Sequence, residues 1–270
     1  MEPSIAFIGG GNMATAILRG LLRAGRAASD FLVIEPQPAA RERLAGDFGV
    51  AAQAAADARL ATARSVVWAV KPQSFREAAS ACAPHVGKAL QISVMAGVRC
   101  ASLAQATGAA RVVRAMPNTP ALIGEGIAGL YANEAVDAAA RAEAEALLAP
   151  TGRLLWVARE PDLDTVTALS GSGPAYFFYF VEALVKAGTE MGLPEAQARE
   201  LALATCRGAA VQGLSSAEPL ALLRERVTSK GGTTHAALTS MEADGVAEAI
   251  ERAAHAAAQR ARELGDALHG

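Results

Sequence analysis

The chain has 270 residues and a formal net charge of −2, and 52% of its residues are hydrophobic against 19% charged. This composition excludes intrinsic disorder, and the length is enough for two ordinary domains. The near-neutral charge predicts no basic face, so we expect no nucleic-acid partner.

The cysteines and histidines suggest neither cross-links nor metal sites. Cys82, Cys100 and Cys206 have neither a disulfide framework nor a zinc-ligand spacing, and the four histidines show no metal spacing. The N-terminus lacks the pattern of a signal peptide, and no apolar stretch approaches the roughly 20 residues of a membrane span. We therefore expect a cytoplasmic protein with no membrane partner and no bound metal.

The first part of the chain alternates short apolar runs with alanine-rich helical patterns. The predicted strands are Ser4–Ile8, Phe31–Ile34, Ser65–Val70, Leu90–Val94, Arg111–Ala115, Ile127–Tyr131 and Leu154–Val157. Such alternation predicts βαβ units and a largely parallel sheet. After Ala158 only helices are predicted, over Val166–Met191, Glu195–Leu214, Pro219–Val227, Thr234–Ala243 and Gly245–Leu268. The sequence thus predicts an α/β fold, with a Rossmann-type domain over residues 1–160 and an all-α domain over residues 161–270.

A glycine-rich loop follows the first predicted strand. It reads Gly9-Gly10-Gly11-Asn12-Met13-Ala14 and begins a helix. In this pattern Gly9 permits a tight turn, Gly11 allows the backbone to approach a pyrophosphate, and Ala14 keeps the helix close to the strand. The strand before the loop and the helix after it favour a dinucleotide site over a simple structural turn.

The second predicted strand ends at an acidic residue, Glu35. A carboxylate there can accept a hydrogen bond from the ribose 2′-hydroxyl of the cofactor, which favours NADH modestly. Two alternatives stay open. Glu35 is an exposed residue at a strand end, or Arg41 and Arg43 in the next helix receive the 2′-phosphate of NADPH.

Further residues at predicted strand ends suit a nicotinamide cofactor. Ligands of parallel sheets bind outside the carboxyl ends of the strands, where Lys71 is expected. Met95 stands among small residues that leave room for a flat ring. Asn118, between two prolines, offers hydrogen bonds to an amide, although a rigid turn explains it nearly as well.

The helical part contains an aromatic cluster, Tyr176-Phe177-Phe178-Tyr179-Phe180. Consecutive aromatic residues point to all sides of a helix, so the helix must be buried on all sides. Because about 110 residues rarely surround one helix completely, we expect a second subunit to cover it. The alternative is a central helix in a monomeric bundle.

A second glycine-containing loop, residues 227–234, lies ahead of the predicted helix Thr234–Ala243. Hydroxyl residues flank Gly231 and Gly232. Backbone N–H groups exposed at a helix N-terminus form a site for a carboxylate or a phosphate.

Together these motifs closely resemble the pyrroline-5-carboxylate reductase family over nearly the whole chain. The resemblance rests on Phe7–Met13, Ala69–Pro72, Arg114–Pro120, Ser170–Tyr176 and Val227–Leu238. It implies that the dinucleotide is lined by Gly9, Gly10, Gly11, Asn12, Met13, Ala69, Lys71 and Pro72. It also implies that the substrate is bound by Thr233, Thr234 and Glu160, with Thr234 nearest the ring nitrogen. We expect the rest of the loop, with Ser229, Gly231 and Gly232, to bind the substrate carboxylate. The chain departs from the family pattern at Met95, where Ala is usual.

The resemblance implies reduction of the cyclic imine 1-pyrroline-5-carboxylate to L-proline by NADPH or NADH. An imine that arrives protonated needs positioning more than a strong acid, which explains a site of hydroxyls and N–H groups. The resemblance also implies a homodimer through the helical domain, with five dimers forming a decamer in many members. Two alternatives remain: another NAD(P)-dependent dehydrogenase or imine reductase of this architecture, and a non-enzymatic nucleotide-binding protein.

Overall fold

The computed structural model describes residues 3–268 of the chain. They form two compact units. The first extends to Ser172 and also includes the chain from Ala257 onward, while the second is Gly173–Ala256. The domain boundary predicted after residue 160 stays a prediction. The two compact units divide instead after Ser172 and after Ala256.

The first unit is built on one eight-stranded sheet with the order β3-β2-β1-β4-β5-β6-β7-β8. Its strands are β1 Ile5–Ile8, β2 Phe31–Ile34, β3 Ala52–Gln53, β4 Ser65–Trp68, β5 Leu90–Ser93, β6 Val112–Met116, β7 Gly126–Ala132 and β8 Gly152–Trp156. All neighbouring pairs are parallel except β6 and β7, which are antiparallel. The predicted α/β fold with a largely parallel sheet is confirmed, although the sequence did not predict β3.

Helices cover both faces of this sheet. They are α1 Asn12–Arg23, α2 Pro38–Phe48, α3 Phe75–Val86, α4 Cys100–Thr107, α5 Ala138–Leu148 and α6 Asp162–Val166, which continues into a π-helical segment, Thr167–Gly171. Successive strand residues point to opposite faces, so Phe7 and Val67 enter one apolar cluster and Ile8 and Trp68 the other. Strands buried on both faces read as continuous apolar runs, which is why most of them could be predicted.

The second unit is helical. It contains α7 Gly173–Glu190, α8 Glu195–Ser215, α9 Leu220–Arg226, α10 Thr233–Ala243 and the beginning of α11 Val246–Ala267. The single helix predicted over Val166–Met191 is wrong in one respect, because α6, the π-helical segment and α7 share this range.

The aromatic residues of α7 are largely exposed in the isolated chain. Phe177 is 62% and Tyr179 77% exposed, and Phe178 and Phe180 are also exposed. The alternative of a helix buried at the centre of a monomeric bundle is therefore wrong.

Two further observations concern residues 3–268 only. None of their helices has the combination of length and apolar character that crossing a bilayer requires. Nowhere in this range do three or more His, Cys, Asp or Glu side chains come together in a way that could hold a metal ion.

Candidate active site

The loops that follow the central parallel strands meet at one edge of the sheet. The N–H of Gly9 donates to the carbonyl of Ile34 (2.8 Å), and the N–H of Ala69 donates to that of Ile8 (2.8 Å). The N–H of Val94 in turn donates to the carbonyl of Trp68 (3.0 Å). Since β1 has β2 on one side and β4 on the other, the chain order changes direction here, and such a position is where open α/β sheets bind ligands.

The glycine-rich loop at this edge has one crowded and one open glycine. Gly9 has φ +99°, and a Cβ there would lie 2.8 Å from the carbonyl oxygen of Ala69, so only glycine fits. At Gly11, by contrast, a Cβ would meet no atom within 4 Å. Gly11 is also the N-cap of α1, and no side chain caps this helix end. The free N–H groups of the first turn and the open space above Gly11 fit the pyrophosphate of a dinucleotide.

Glu35 is buried, with 8% of its surface exposed, and its carboxylate binds the backbone on both sides. Its Oε2 accepts from the N–H of Gly10 (2.8 Å) and its Oε1 from the N–H of Gln37 (2.8 Å). The interpretation of Glu35 as an exposed strand-end residue is therefore wrong. Contact with a ribose stays a prediction, and the structure adds a second role, since Glu35 shapes the glycine-rich loop.

The two arginines of α2 also contact the backbone of this region. Nη1 of Arg41 donates to the carbonyl oxygens of Glu35 (2.9 Å) and Pro36 (2.7 Å). Nη2 of Arg43 donates to the carbonyl oxygen of Gly10 (3.2 Å). Two guanidinium groups therefore lie against the backbone next to Glu35, where the sequence predicts the adenosine ribose of the cofactor.

The remaining predicted cofactor residues lie at the same sheet edge. Ala69, Lys71 and Pro72 follow β4, and Lys71 is exposed. Met95 follows β5 and is buried, with its N–H 3.3 Å from Oγ of Ser93. Asn118 follows β6, and its Oδ1 accepts from the N–H of Ile127 (3.0 Å), which holds the side chain against β7. The structure therefore brings the predicted cofactor residues together, while their individual contacts stay predictions.

Glu160 lies in a different environment from the other predicted substrate residues. Its Oε1 accepts from Nη1 of Arg114 (2.8 Å) and from the N–H of Cys100 (2.7 Å). The side chain of Arg114 is only 8% exposed, and that of Glu160 is 21% exposed. The pair ties the beginning of α4 to β6 within the first unit. Burial, together with the charge of Glu160, raises the pKa of the Cys100 thiol to about 12.

Sequence reasoning did not assign a role to Arg114, although a signal was present. An arginine inside an apolar strand has to be paired when it is buried, because an isolated buried charge is very costly. The sequence predicted the strand but could not identify Glu160 as the partner, since the two residues are distant along the chain.

The second candidate site lies in the second unit, at the N-terminus of α10. Gly231 has φ +74°, which a side chain would strain. The N–H of Gly232 donates to the carbonyl oxygen of Ser229 (2.9 Å), and Gly232 is the N-cap of α10, without a side-chain cap. Within residues 3–268, the hydroxyls of Ser229, Thr233 and Thr234 hydrogen-bond to no protein group.

This loop can orient an anion and accept or donate single hydrogen bonds. Its unbonded N–H groups and the positive end of the helix dipole favour a carboxylate. The adjacent hydroxyl of Thr234 offers both a donor and an acceptor to a neighbouring atom of the same ligand. The arrangement suits the positioning of a small charged molecule.

Comparison with known proteins identifies a family for each part of the chain. Residues 4–97 match a family model described as NADP oxidoreductase coenzyme F420-dependent. Residues 160–264 match the family model for pyrroline-5-carboxylate reductase dimerisation. The pyrroline-5-carboxylate reductase of Pseudomonas aeruginosa is 44% identical over 268 residues, covering 98% of each chain. The chain belongs to the pyrroline-5-carboxylate reductase family.

Solved structures of this family have the same fold. The pyrroline-5-carboxylate reductase of Coxiella burnetii aligns with a TM-score of 0.89 at 36% identity, over 98% of this chain and 99% of that one. A pyrroline carboxylate reductase of Plasmodium falciparum with NADP bound aligns with a TM-score of 0.87 at 26% identity, over the same fractions. The predicted family, fold class and nicotinamide cofactor are confirmed, and the chain is an NAD(P)H-dependent oxidoreductase that acts on a C=N bond.

Proposed function

We propose that this chain reduces 1-pyrroline-5-carboxylate to L-proline, with the substrate carboxylate bound at the N-terminus of α10. The observation that carries the proposal is the loop before α10, whose helix end is uncapped and whose hydroxyls have no protein partner within the described residues. It supplies an anion site in the part of the chain that matches the reductase dimerisation family.

When bound, NADPH or NADH supplies the hydride. Residues 9–13 would hold the pyrophosphate, because Gly9 closes against Ala69 and Gly11 leaves open space. Ala69, Lys71 and Pro72 would line the dinucleotide, while Met95 and Asn118 would border the nicotinamide. These residues would hold the cofactor at the sheet edge.

The substrate side of the site works by orientation. The first N–H groups of α10 hold the carboxylate, and the Thr234 hydroxyl accepts a hydrogen bond from the protonated ring nitrogen, which becomes the amine when hydride adds to the neighbouring carbon, without a further proton. Because an iminium carbon is already strongly electrophilic, correct placement supplies most of the required acceleration. This explains why hydroxyl residues suffice where reductases of ketones commonly need a Lys or His acid.

A second copy of the chain is proposed to cover the exposed aromatic face of α7. This face lies in the region that matches the dimerisation family, and it exposes Phe177, Phe178 and Tyr179. Large apolar patches of this kind mark protein interfaces. We further propose that five dimers form a decamer and that the enzyme works in the cytoplasm.

The dimer is tested by light scattering on Phe177→Glu, with Ile123→Glu as the control. Ile123 is 71% exposed and lies outside the matched region. Only Phe177→Glu is expected to give monomers. Equal masses for both variants and the wild type would count against the α7 interface.

The activity is tested by following NADPH and NADH consumption with 1-pyrroline-5-carboxylate, beside a hydroxy acid with the oxidised cofactor. Turnover of the imine and none of the hydroxy acid is expected. Turnover of the hydroxy acid alone would favour a dehydrogenase of the same architecture. Cofactor binding without any turnover would favour a non-enzymatic nucleotide-binding protein.

A further inference from the structure

The loop of residues 94–99, between β5 and α4, is covered by the C-terminal end of the chain. Gly97 has φ +77°, and a Cβ at this position would lie 3.2 Å from Cδ1 of Leu268 and 3.3 Å from Cα of Gly265. The last turn of α11 therefore lies directly against the backbone of the loop. This contact falls within the first unit, to which the chain from Ala257 onward belongs.

Two side chains strengthen this contact. Arg99, the N-cap residue of α4, forms an ion pair with Asp266. Leu268 packs against the apolar cluster that contains Met95 and Val98. The last turn of α11 and the next residue, Leu268, thus contact the loop by close backbone approach, by charge and by apolar packing.

The same end of the loop, where α4 begins, is also held by Glu160. Its carboxylate accepts from the N–H of Cys100, the first residue of α4, and is itself held by Arg114. The loop is therefore anchored twice near its C-terminal end by residues distant in sequence, and Met95, nearer its N-terminal end, is buried with 3% exposure.

We propose that the C-terminal turn, meaning Gly265 and Asp266 of α11 together with Leu268 directly after it, is a positioning element that holds the loop and Met95 in the shape required by the nicotinamide end of the cofactor. This rests on the proposed function, in which Met95 borders the nicotinamide. The three residues act through the loop, because their own contacts are with Gly97, Arg99 and the cluster around Met95.

A purely structural role would give a different result from a positioning role. The pair Arg99–Asp266 is exposed, with 45% and 67% of the two side chains accessible, so it adds little to global stability. Its loss should increase local opening of the loop, since loops open at a lower free energy than the whole protein unfolds. Cofactor affinity should therefore change more than thermal stability does.

The test compares Asp266→Ala, Leu268→Ala and their combination with a matched control on the same helix. Glu263→Ala is suitable because Glu263 pairs with Arg260, which is also on α11, and its ion pair does not involve the loop. We would measure the Kd of NADPH by fluorescence titration, KM and kcat with 1-pyrroline-5-carboxylate, and backbone hydrogen exchange over residues 94–99.

For the double variant we expect the Kd for NADPH to be about five-fold higher. This size is expected when an exposed ion pair and one apolar contact that support the binding loop are both lost. At saturating NADPH, kcat should stay within about two-fold, because the reacting groups are untouched. Hydrogen exchange should accelerate at the loop, and the Glu263→Ala control should match the wild type. Asp266→Glu should restore most of the affinity lost in Asp266→Ala.

Unchanged Kd and unchanged loop exchange in the double variant would overturn the positioning role, and so would a lower melting temperature without a change in Kd. The titration and the exchange measurement need no imine. If the wild type binds NADPH but does not reduce the imine, the proposed substrate fails while these two measurements still decide the role of the C-terminal turn.

Discussion

The loop of residues 9–13 and the loop of residues 229–234 each lead to a helix N-terminus that no side chain caps, yet they are built in opposite ways. The first is enclosed, with Gly9 against the carbonyl of Ala69 and Gly10 bound by the buried carboxylate of Glu35. The second is open, because α10 has no buried residue in the isolated chain and the hydroxyls of the loop are unbonded within the described residues.

The difference shows that one candidate anion site is enclosed by its own unit and that the other is exposed. An enclosed loop loses little conformational entropy when a ligand binds, whereas an exposed loop loses more when a ligand or another protein surface contacts it. Steric changes should therefore be most damaging at the first loop. Changes of hydrogen-bonding chemistry should be most damaging at the second.

The largest effect is expected from Gly11→Ala. The added Cβ meets no protein atom and φ is −73°, so the fold accepts it, but the methyl group occupies the space meant for the pyrophosphate. Overpacking of this kind costs about 1–3 kcal/mol, so kcat/KM for NADPH should fall up to roughly a hundred-fold with an unchanged melting temperature. Gly46→Ala in α2, also free of contacts, is the matched control. Full activity of Gly11→Ala would show that this space is not used.

The next effect concerns the open loop, through Thr234→Val. The variant keeps the shape of the side chain and removes the hydroxyl, so kcat/KM for the imine should fall about ten-fold or more, as for loss of a hydrogen bond to a charged group. The control is Thr239→Val on the same helix, whose hydroxyl already donates to the carbonyl of His235 (2.9 Å). Steady-state kinetics that match the wild type would remove Thr234 from the mechanism.

A smaller effect is expected from Glu35→Ser, which tests what encloses the first loop. Loss of the carboxylate frees the N–H groups of Gly10 and Gln37, so KM should rise for both cofactors by about three- to ten-fold. Because a negative charge beside Arg41 and Arg43 is also lost, the ratio of kcat/KM for NADPH to that for NADH should increase. Asp47→Ser, on α2, makes the same charge change and is the control. An unaltered ratio would mean that Glu35 only shapes the loop.

The smallest effect concerns the pH dependence of stability that arises from the buried thiol of Cys100, directly after the loop of residues 94–99. Burial is the main cause that raises the pKa of Cys100 from 9.0 to about 12. A raised pKa means that the thiol ionises first in the unfolded chain, so its stabilising contribution is complete below pH 9 and is lost as the pH rises toward 12. The free energy of unfolding should then decline above pH 9 by up to about 1.4 kcal/mol per pH unit for this thiol.

Chemical denaturation at about pH 8 and about pH 10 measures this decline, which should be less steep in Cys100→Ala. Cys82→Ala is a useful comparison, because burial raises the pKa of Cys82 to about 11. The stabilising contribution of the Cys82 thiol should therefore be lost completely at a lower pH than that of Cys100. Equal slopes for the wild type and Cys100→Ala would indicate that water reaches the thiol in the folded protein.

Features that depend on residues adjacent in the chain could be predicted well from the sequence. Strands buried on both faces appear as apolar runs, and the glycine pattern of residues 9–14 reflects a local steric need that the structure confirms at Gly9. The strand Ala52–Gln53 was not predicted, because two residues in an alanine-rich segment carry no periodic signal. The break between α6 and α7 was also missed, since a π-helical segment preserves the helical pattern across it.

By itself the sequence determined the family, the α/β class and the two loops that present helix N-termini, because each depends on residues adjacent in the chain. Only the tertiary structure decided that Glu35 binds Gly10, that Glu160 pairs with Arg114, and that the end of α11 returns to the first unit. These contacts join residues far apart in sequence. Their partners are selected by how the buried elements pack, and no local pattern of residues encodes that choice.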